Sequence, residues 1–181
     1  MLPADSAARG PAVRVAMVVI AVVVVTADQV SKSLILATHA GTGTPGTGWI
    51  SIRLVRNTGA SGGIASGYPV LVTLAALAIA AAAVIFALHV RSRVAAICLA
   101  AVCGGALGNL SDRIFRSPGF GRGAVVDWIH VAGRGGSFNV ADTAIQFGVI
   151  IAVIAMYVAD RARKTSERRA GQAREQQTAE Q

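Results

Sequence analysis

Four apolar stretches, each about as long as a lipid bilayer is thick, constrain this chain more than any other feature of its sequence. A transmembrane helix needs about 20 mostly apolar residues, because the hydrocarbon core of a bilayer is about 30 Å across. Hydrophobic residues make up 54% of the 181 residues. The sequence therefore predicts a mainly α-helical membrane protein with four transmembrane helices, at residues 13–37, 68–90, 94–112 and 138–159.

If the four spans cross the membrane in alternating directions, the termini and connecting segments fall on two sides of it. Basic residues are concentrated on one of these sides. Ten lysines and arginines lie beside the start of the first span, between the second and third, and after the fourth. Since cytoplasmic segments are enriched in these residues, both termini are expected in the cytoplasm. The net charge of +8 then reflects topology, and no nucleic-acid partner is expected. The expected organisation is an N-terminal tail (1–12), a membrane domain (13–160) and a basic polar C-terminal tail (161–181).

The first span has a second interpretation. Arg9 and Arg14, the apolar run 15–25 and the small residues before Asp28 resemble a cleavable signal peptide. Because the apolar character resumes at residues 34–37, a retained span is favoured. The C-terminal tail contains no large apolar residue, so it is expected either to extend the fourth helix or to be disordered.

The two longer connecting segments lie on the side opposite to the termini. In the first segment, Ile50, Ile52 and Leu54 alternate with polar residues, a pattern typical of a short half-buried strand. In the second segment, residues 124–131 are apolar except for Asp127 and His130. This stretch is expected to lie at the membrane surface or to enter the protein.

Four aspartates stand within or beside the apolar segments: Asp28, Asp112, Asp127 and Asp142. An aspartate at the centre of a transmembrane helix costs about 2.5–3.5 kcal/mol on insertion scales, and less toward its ends. Alternation of the spans brings all four to one leaflet, because each lies at the outer end of a span or in an outer segment. Four carboxyl groups at one depth need a structural or chemical reason.

The spacing of the neighbouring polar residues separates two kinds of aspartate. Asp28 and Lys32 are four residues apart, so they share a helical face and can pair. Asp112 is adjacent to Arg113, and a purely structural polar network would explain both pairs. The other two aspartates lack an adjacent cation and are the better functional candidates. Three amides are predicted to join the same end of the protein: Asn57, Asn109 and Asn139.

A pair of carboxyl groups is the chemistry that remains once other types of site are considered. The three histidines are scattered, no cluster of zinc ligands is evident, and no serine has a convincing histidine partner. Two aspartates held close share one proton, since both cannot ionise together. One can then take a proton from water while the other donates one, which suffices to hydrolyse a peptide bond. Neither a metal nor a cofactor is expected.

Five motifs in order carry a resemblance to a known family. They are "DQVSK" (28–32), "NTGAS" (57–61), "GNLSDR" (108–113), "VVDWIH" (125–130) and "FNVAD" (138–142). With these motifs the chain resembles lipoprotein signal peptidase (signal peptidase II), a family of bacterial membrane aspartyl proteases. The resemblance covers residues 13–160.

The resemblance implies that Asp127 and Asp142 form a catalytic dyad and that the first external loop forms a small β-cradle. The implied substrate is a diacylglyceryl-modified prolipoprotein, cut just before its lipidated cysteine. Expected partners are therefore such precursors and membrane lipid, at the outer leaflet of the bacterial cytoplasmic (inner) membrane. The residues implied to organise the pocket or bind substrate are Asp28, Lys32, Asn57, Gly59, Asn109, Asp112, Arg113 and Asn139.

Two departures from the family pattern and two competing functions accompany this reading. The family commonly has phenylalanine where this chain has Trp128, and an aromatic residue near the position of Gly62 and Gly63. A proton-coupled transporter would also use intramembrane acids, but it predicts ionisable groups spread across the membrane rather than gathered at one leaflet. A structural membrane subunit would use the polar residues only to hold helices together.

Overall fold

The computed structural model describes residues 10–39, 48–60, 63–133 and 135–179. Four of its elements are helices, each long and apolar enough to cross a membrane. They are α1 (Pro11–His39), α2 (Pro69–His89), α3 (Arg93–Phe115) and α4 (Val140–Ala179). The other three are strands: β1 (Ile50–Asn57), β2 (Val125–Val131) and β3 (Ser137–Phe138). Four membrane-capable helices and a small sheet confirm the predicted fold class.

The helix boundaries lie within three residues of the predicted spans, except that α4 continues far beyond residue 159. This helix begins at Val140 rather than at residue 138, because Ser137 and Phe138 pair with β2. It continues through the C-terminal tail to Ala179, as the helix-extension alternative predicted. Ion pairs from Asp160 to Arg163 and Lys164, three and four residues along, support the exposed part of the helix. Most of the N-terminal tail, residues 1–9, lies outside the described residues.

Helix α3 is the central helix, in contact with α1, α2 and α4. Its buried residues are mostly alanine and glycine, which let neighbouring backbones come close. A Cβ atom on Gly104 would lie 2.7 Å from the carbonyl oxygen of Ala21, and one on Gly108 would lie 2.7 Å from Asp28 Oδ2. These glycines therefore permit the approach of α1, and Gly108 makes room for a buried carboxylate.

The sheet is antiparallel, in the order β1–β2–β3, and draws strands from both long connecting segments. Strand β1 pairs with β2 from Ile50, opposite Val131, to Asn57, opposite Val125. This strand confirms the one predicted around Ile50, Ile52 and Leu54, but an irregularity between Ile52 and Val55 interrupts its register and therefore its alternation. Residues 124–131, expected only at the membrane surface or inside the protein, supply the central strand.

Candidate active site

A buried lysine joins α1 to α3 at the end of the bundle that carries the sheet. The Nζ atom of Lys32 lies 2.7 Å from Asp28 Oδ2 and 2.8 Å from Asp112 Oδ2. It also donates a hydrogen bond to Asn109 Oδ1 at 3.0 Å. The side chains of the lysine and both aspartates are fully buried. Charges removed from water in this way are tolerated only when they are paired and their hydrogen bonds are satisfied.

The two carboxylates of this cluster also hold the backbone of β2 and α4. Asp28 Oδ1 accepts a hydrogen bond from the backbone N–H of Ala141 at 3.0 Å. Asp112 Oδ2 accepts one from the backbone N–H of Val126 at 3.2 Å. Each of these donors immediately precedes one of the two predicted catalytic aspartates. The buried ion cluster therefore positions both aspartates through the main chain.

Arg113 contacts backbone carbonyl groups rather than Asp112, the partner that the sequence suggested. Asp112 pairs with Lys32 and with Arg116, whose Nε lies 2.6 Å from Asp112 Oδ1. Arg113 instead donates hydrogen bonds to the carbonyl oxygens of Thr58 at 3.3 Å and Gly59 at 2.5 Å. The predicted Asp112–Arg113 pair is thus replaced by a contact between α3 and the turn after β1.

Asp127 lies on β2 and is buried, at 2% relative exposure. Its Oδ2 accepts a hydrogen bond from Asn57 Nδ2 at 3.0 Å, and its Oδ1 accepts one from Asn139 Nδ2 at 2.7 Å. Burial, assisted by the charge of Asp142, raises the pKa of Asp127 to about 6. The two amide donors and the charge of Lys32 act in the opposite direction but do not cancel the effect of burial.

Asp142 lies in the first turn of α4 and is half-buried. Its Oδ1 accepts a hydrogen bond from Asn109 Nδ2 at 2.8 Å. Its backbone N–H donates to Asn139 Oδ1 at 2.9 Å, so Asn139 caps the helix while its amide nitrogen binds Asp127. Because Asn109 Oδ1 accepts from Lys32, the amide nitrogen of Asn109 is the atom that faces Asp142.

One cavity of about 290 Å³ is lined by both aspartates. Six of the ten predicted site residues border it: Asn57, Gly59, Asn109, Arg113, Asp127 and Asp142. The other four do not border it but lie behind its walls: Asp28, Lys32, Asp112 and Asn139. Its apolar lining includes residues that the sequence analysis did not select: Val72, Ala75, Ala76, Ile79, Ala106 and Ile145. Nothing in the sequence distinguishes these residues, since they are apolar like most of the helices that contain them.

Three positions depart from the family pattern: Trp128, Gly62 and Gly63. Trp128 follows the buried aspartate on β2 and is half-buried. Gly63 has a backbone φ of +82°, a conformation that favours glycine over an aromatic residue. Gly62 lies outside the described residues. Within the part of the chain that the structure describes, no group of three metal-ligating side chains could hold an ion.

Comparison with known proteins identifies the arrangement. Residues 20–158 match the family described as signal peptidase (SPase) II. The chain belongs to this family. The lipoprotein signal peptidase of Streptomyces griseus is 39% identical over 153 residues, covering 83% of this chain and 78% of the relative. That of Rhodococcus jostii is 42% identical over 146 residues, covering 78% and 72%.

Solved structures agree with this family assignment. A structure described as a bacterial membrane enzyme superposes with a TM-score of 0.68 at 31% identity, covering 82% of this chain and 90% of its own. A second, described in the same words, has a TM-score of 0.62 at 32% identity. This member of the signal peptidase II family is therefore an aspartic endopeptidase and a multi-pass membrane protein. These comparisons favour a peptidase over a transporter or a structural subunit as the explanation of the buried acids.

Replacing Lys32 with methionine is expected to destabilise the protein strongly. The substitution keeps the length of the side chain but leaves two buried carboxylates without their shared cation, which typically costs about 3–5 kcal/mol. Unfolding of the purified protein in detergent micelles measures the loss. Lys164→Met is the matched control, since it breaks an exposed lysine–aspartate pair of the same i,i+4 spacing. Equal stability of the two variants would contradict the role given to Lys32.

Replacing Asp142 with asparagine is expected to lower the pKa of Asp127 from about 6, since one of its two causes is removed. The pKa should stay above the ordinary 3.8, because burial is the larger cause. Carbon NMR of the aspartate carboxyl groups against pH measures it, with Asp127→Asn assigning the signal. Asp160→Asn, at an exposed position on α4, is the control. An unchanged pKa in the Asp142 variant would show that the two carboxyl groups do not interact.

Proposed function

We propose that this enzyme removes the signal peptide from diacylglyceryl-modified prolipoproteins, cutting just before the lipidated cysteine with Asp127, Asp142 and one water molecule. The observation that carries the proposal is that two carboxyl groups line one cavity in unequal surroundings. Asp127 is buried and its pKa is raised, whereas Asp142 is half-buried. Such a difference between two acids is what assigns separate acid and base roles.

The proton distribution follows from this asymmetry. Burial raises the pKa of Asp127 and so favours its protonated form, and we therefore assign the acid role to Asp127 and the base role to Asp142. Asp142 takes a proton from the water as its oxygen attacks the scissile carbonyl carbon, and Asp127 donates its proton to the carbonyl oxygen. The tetrahedral intermediate then collapses. The proton on Asp142 passes to the leaving nitrogen, the carbon–nitrogen bond breaks, and the re-forming carbonyl returns a proton to Asp127.

The amide side chains keep the two carboxyl groups in position during these transfers. Asn57 and Asn139 donate to the two oxygens of Asp127, and Asn109 donates to Oδ1 of Asp142. An amide nitrogen can donate but cannot take up a proton, so these contacts orient the acids without competing for the proton. Oxygen Oδ2 of Asp142 has no such donor among the described residues and is the atom proposed to face the water.

The substrate class is supported by the names of the relatives and by the surface around the site. The matched relatives are lipoprotein signal peptidases, which implies prolipoprotein substrates. The cavity wall from α2 is apolar, and the faces of α1, α2 and α4 expose many large apolar side chains. An acylated precursor can therefore lie against the protein while its acyl chains remain in lipid.

The proposed location is the bacterial cytoplasmic membrane, with both termini in the cytoplasm and the site at the outer leaflet. The distribution of basic residues supports this orientation, because the cationic segments flank the ends of the helices opposite to the site. The polar cluster and the sheet then lie where the lipidated cysteine of a translocated precursor would be held.

Replacing either aspartate with asparagine is expected to reduce turnover by at least about a hundredfold, because the pair needs one acid and one base. Mass spectrometry of a lipidated precursor incubated with purified enzyme measures turnover, and thermal unfolding checks that each variant folds. Asp160→Asn, which removes an exposed carboxylate far along α4, should keep full activity. Substantial turnover by Asp127→Asn or Asp142→Asn would remove that residue from the dyad.

The same precursor without its diacylglyceryl group is expected to be cut at least about tenfold less efficiently. Each acyl methylene contributes about 0.8 kcal/mol of membrane affinity, which holds the modified cysteine beside the dyad and raises its local concentration. The comparison is made with kcat/KM in one detergent system. Equal cleavage of both precursors would show that recognition depends on the peptide alone.

A further inference from the structure

A second cavity, of about 340 Å³, lies against the other side of the Asn57–Asp127 pair. Both residues line this cavity as well as the one that Asp142 borders. A polypeptide cut at Asp127 must extend to both sides of the scissile bond. The two cavities therefore offer one space for the segment before the bond and another for the segment after it.

The two cavities differ in polarity, as expected if one holds the signal segment before the bond and the other holds the segment after it. The first cavity is largely apolar, as suits a hydrophobic signal segment. The second is polar and basic, with Arg53 and Arg56 from β1 together with Thr58, Ser66 and Ser137. Both arginines are exposed, and neither forms an ion pair within the described residues. The hydroxyl of Ser137 donates to the backbone carbonyl of Arg53 at 3.1 Å, which fixes this part of the strand.

We infer that the second cavity binds the first residues of the mature chain after the lipidated cysteine, and that Arg53 and Arg56 favour acidic side chains there. This inference rests on the proposed function. Three residues of extended chain separate the two arginines, a distance of at most about 10 Å. The second to fourth residues of an extended mature chain span about 7 Å. The long arginine side chains can bridge the remaining distance, so these residues can reach the two guanidinium groups.

The charge around this end of the bundle supports an anionic ligand. The described acidic residues near the site are the two of the dyad and the two bound to Lys32, and none of them is exposed. An acidic peptide therefore meets two unpaired cations without a competing surface carboxylate. Pairs that remain in contact with water contribute modestly, so the expected effect is a preference and not an absolute requirement.

The test compares two lipidated precursors, which carry either aspartate or glutamine at residues two to four of the mature chain. The native enzyme is expected to cleave the acidic precursor with a kcat/KM about fivefold higher, mainly through KM. In the double variant Arg53→Gln/Arg56→Gln this ratio should fall to about one. Arg53→Lys/Arg56→Lys should retain most of it, which separates loss of charge from loss of folding. The ratio should also decline with added salt.

Arg122→Gln is the matched control. It removes an exposed arginine from the same end of the bundle, but Arg122 lines a different cavity, beside the start of α2. A loss of preference in this variant as large as in the double variant would show general attraction and overturn the site. Equal cleavage of both precursors by the native enzyme would also overturn the inference. If neither precursor is cleaved, the proposed function fails instead.

A membrane lipid is the other anion that exposed arginines could bind. The assays are therefore repeated in vesicles of phosphatidylcholine with and without phosphatidylglycerol. The inference expects the acidic preference in both. If the double variant lowers activity on the two precursors equally, and only when phosphatidylglycerol is present, the arginines bind lipid headgroups and the inference is overturned.

Discussion

The contact on which the rest of this site depends is the buried pairing of Lys32 with Asp28 and Asp112. Each carboxylate also accepts a hydrogen bond from the backbone N–H of the residue that precedes one of the two proposed catalytic aspartates. Without this cation, Asp28 would stay buried with no ion pair and Asp112 would keep only its pair with Arg116. One interaction thus stabilises the helix pair and sets the position of β2 relative to α4.

Two amide side chains connect this buried ion cluster and the start of α4 to Asp127 and Asp142. Asn139 caps α4 and donates a hydrogen bond to Asp127. Asn109 accepts a hydrogen bond from Lys32 and donates one to Asp142, so Lys32 orients Asp142 through Asn109. Asp127 is deeply buried and its pKa is raised, whereas Asp142 is only half-buried, so the two carboxyl groups differ in their surroundings. The asymmetry comes from depth within the fold, since the two side chains are chemically identical.

Asp127 also lines two cavities with different surroundings. An apolar cavity lies on the side of α2, and a basic cavity lies on the side of β1. The proposed substrate, a prolipoprotein, would change character in the same way at its cleavage point, from a hydrophobic signal segment to a polar mature chain. This arrangement depends on the position of β2 as the central strand, which lets the buried Asp127 line both cavities.

Much of the architecture, and the gathering of the candidate site residues at one end of the bundle, could be predicted from the sequence. Apolar length specified four spans, and alternation brought the four aspartates to one end; both depend on local pattern and counting. The i,i+4 pair of Asp28 and Lys32 was equally accessible. The pairing of Lys32 with Asp112, the contact of Arg113 with Gly59 and the central place of β2 were not. These partners lie far apart along the chain, and periodicity cannot say which of several charges will meet once helices pack. Only tertiary structure decided them, because burial makes each buried charge take the partner that packing brings within reach.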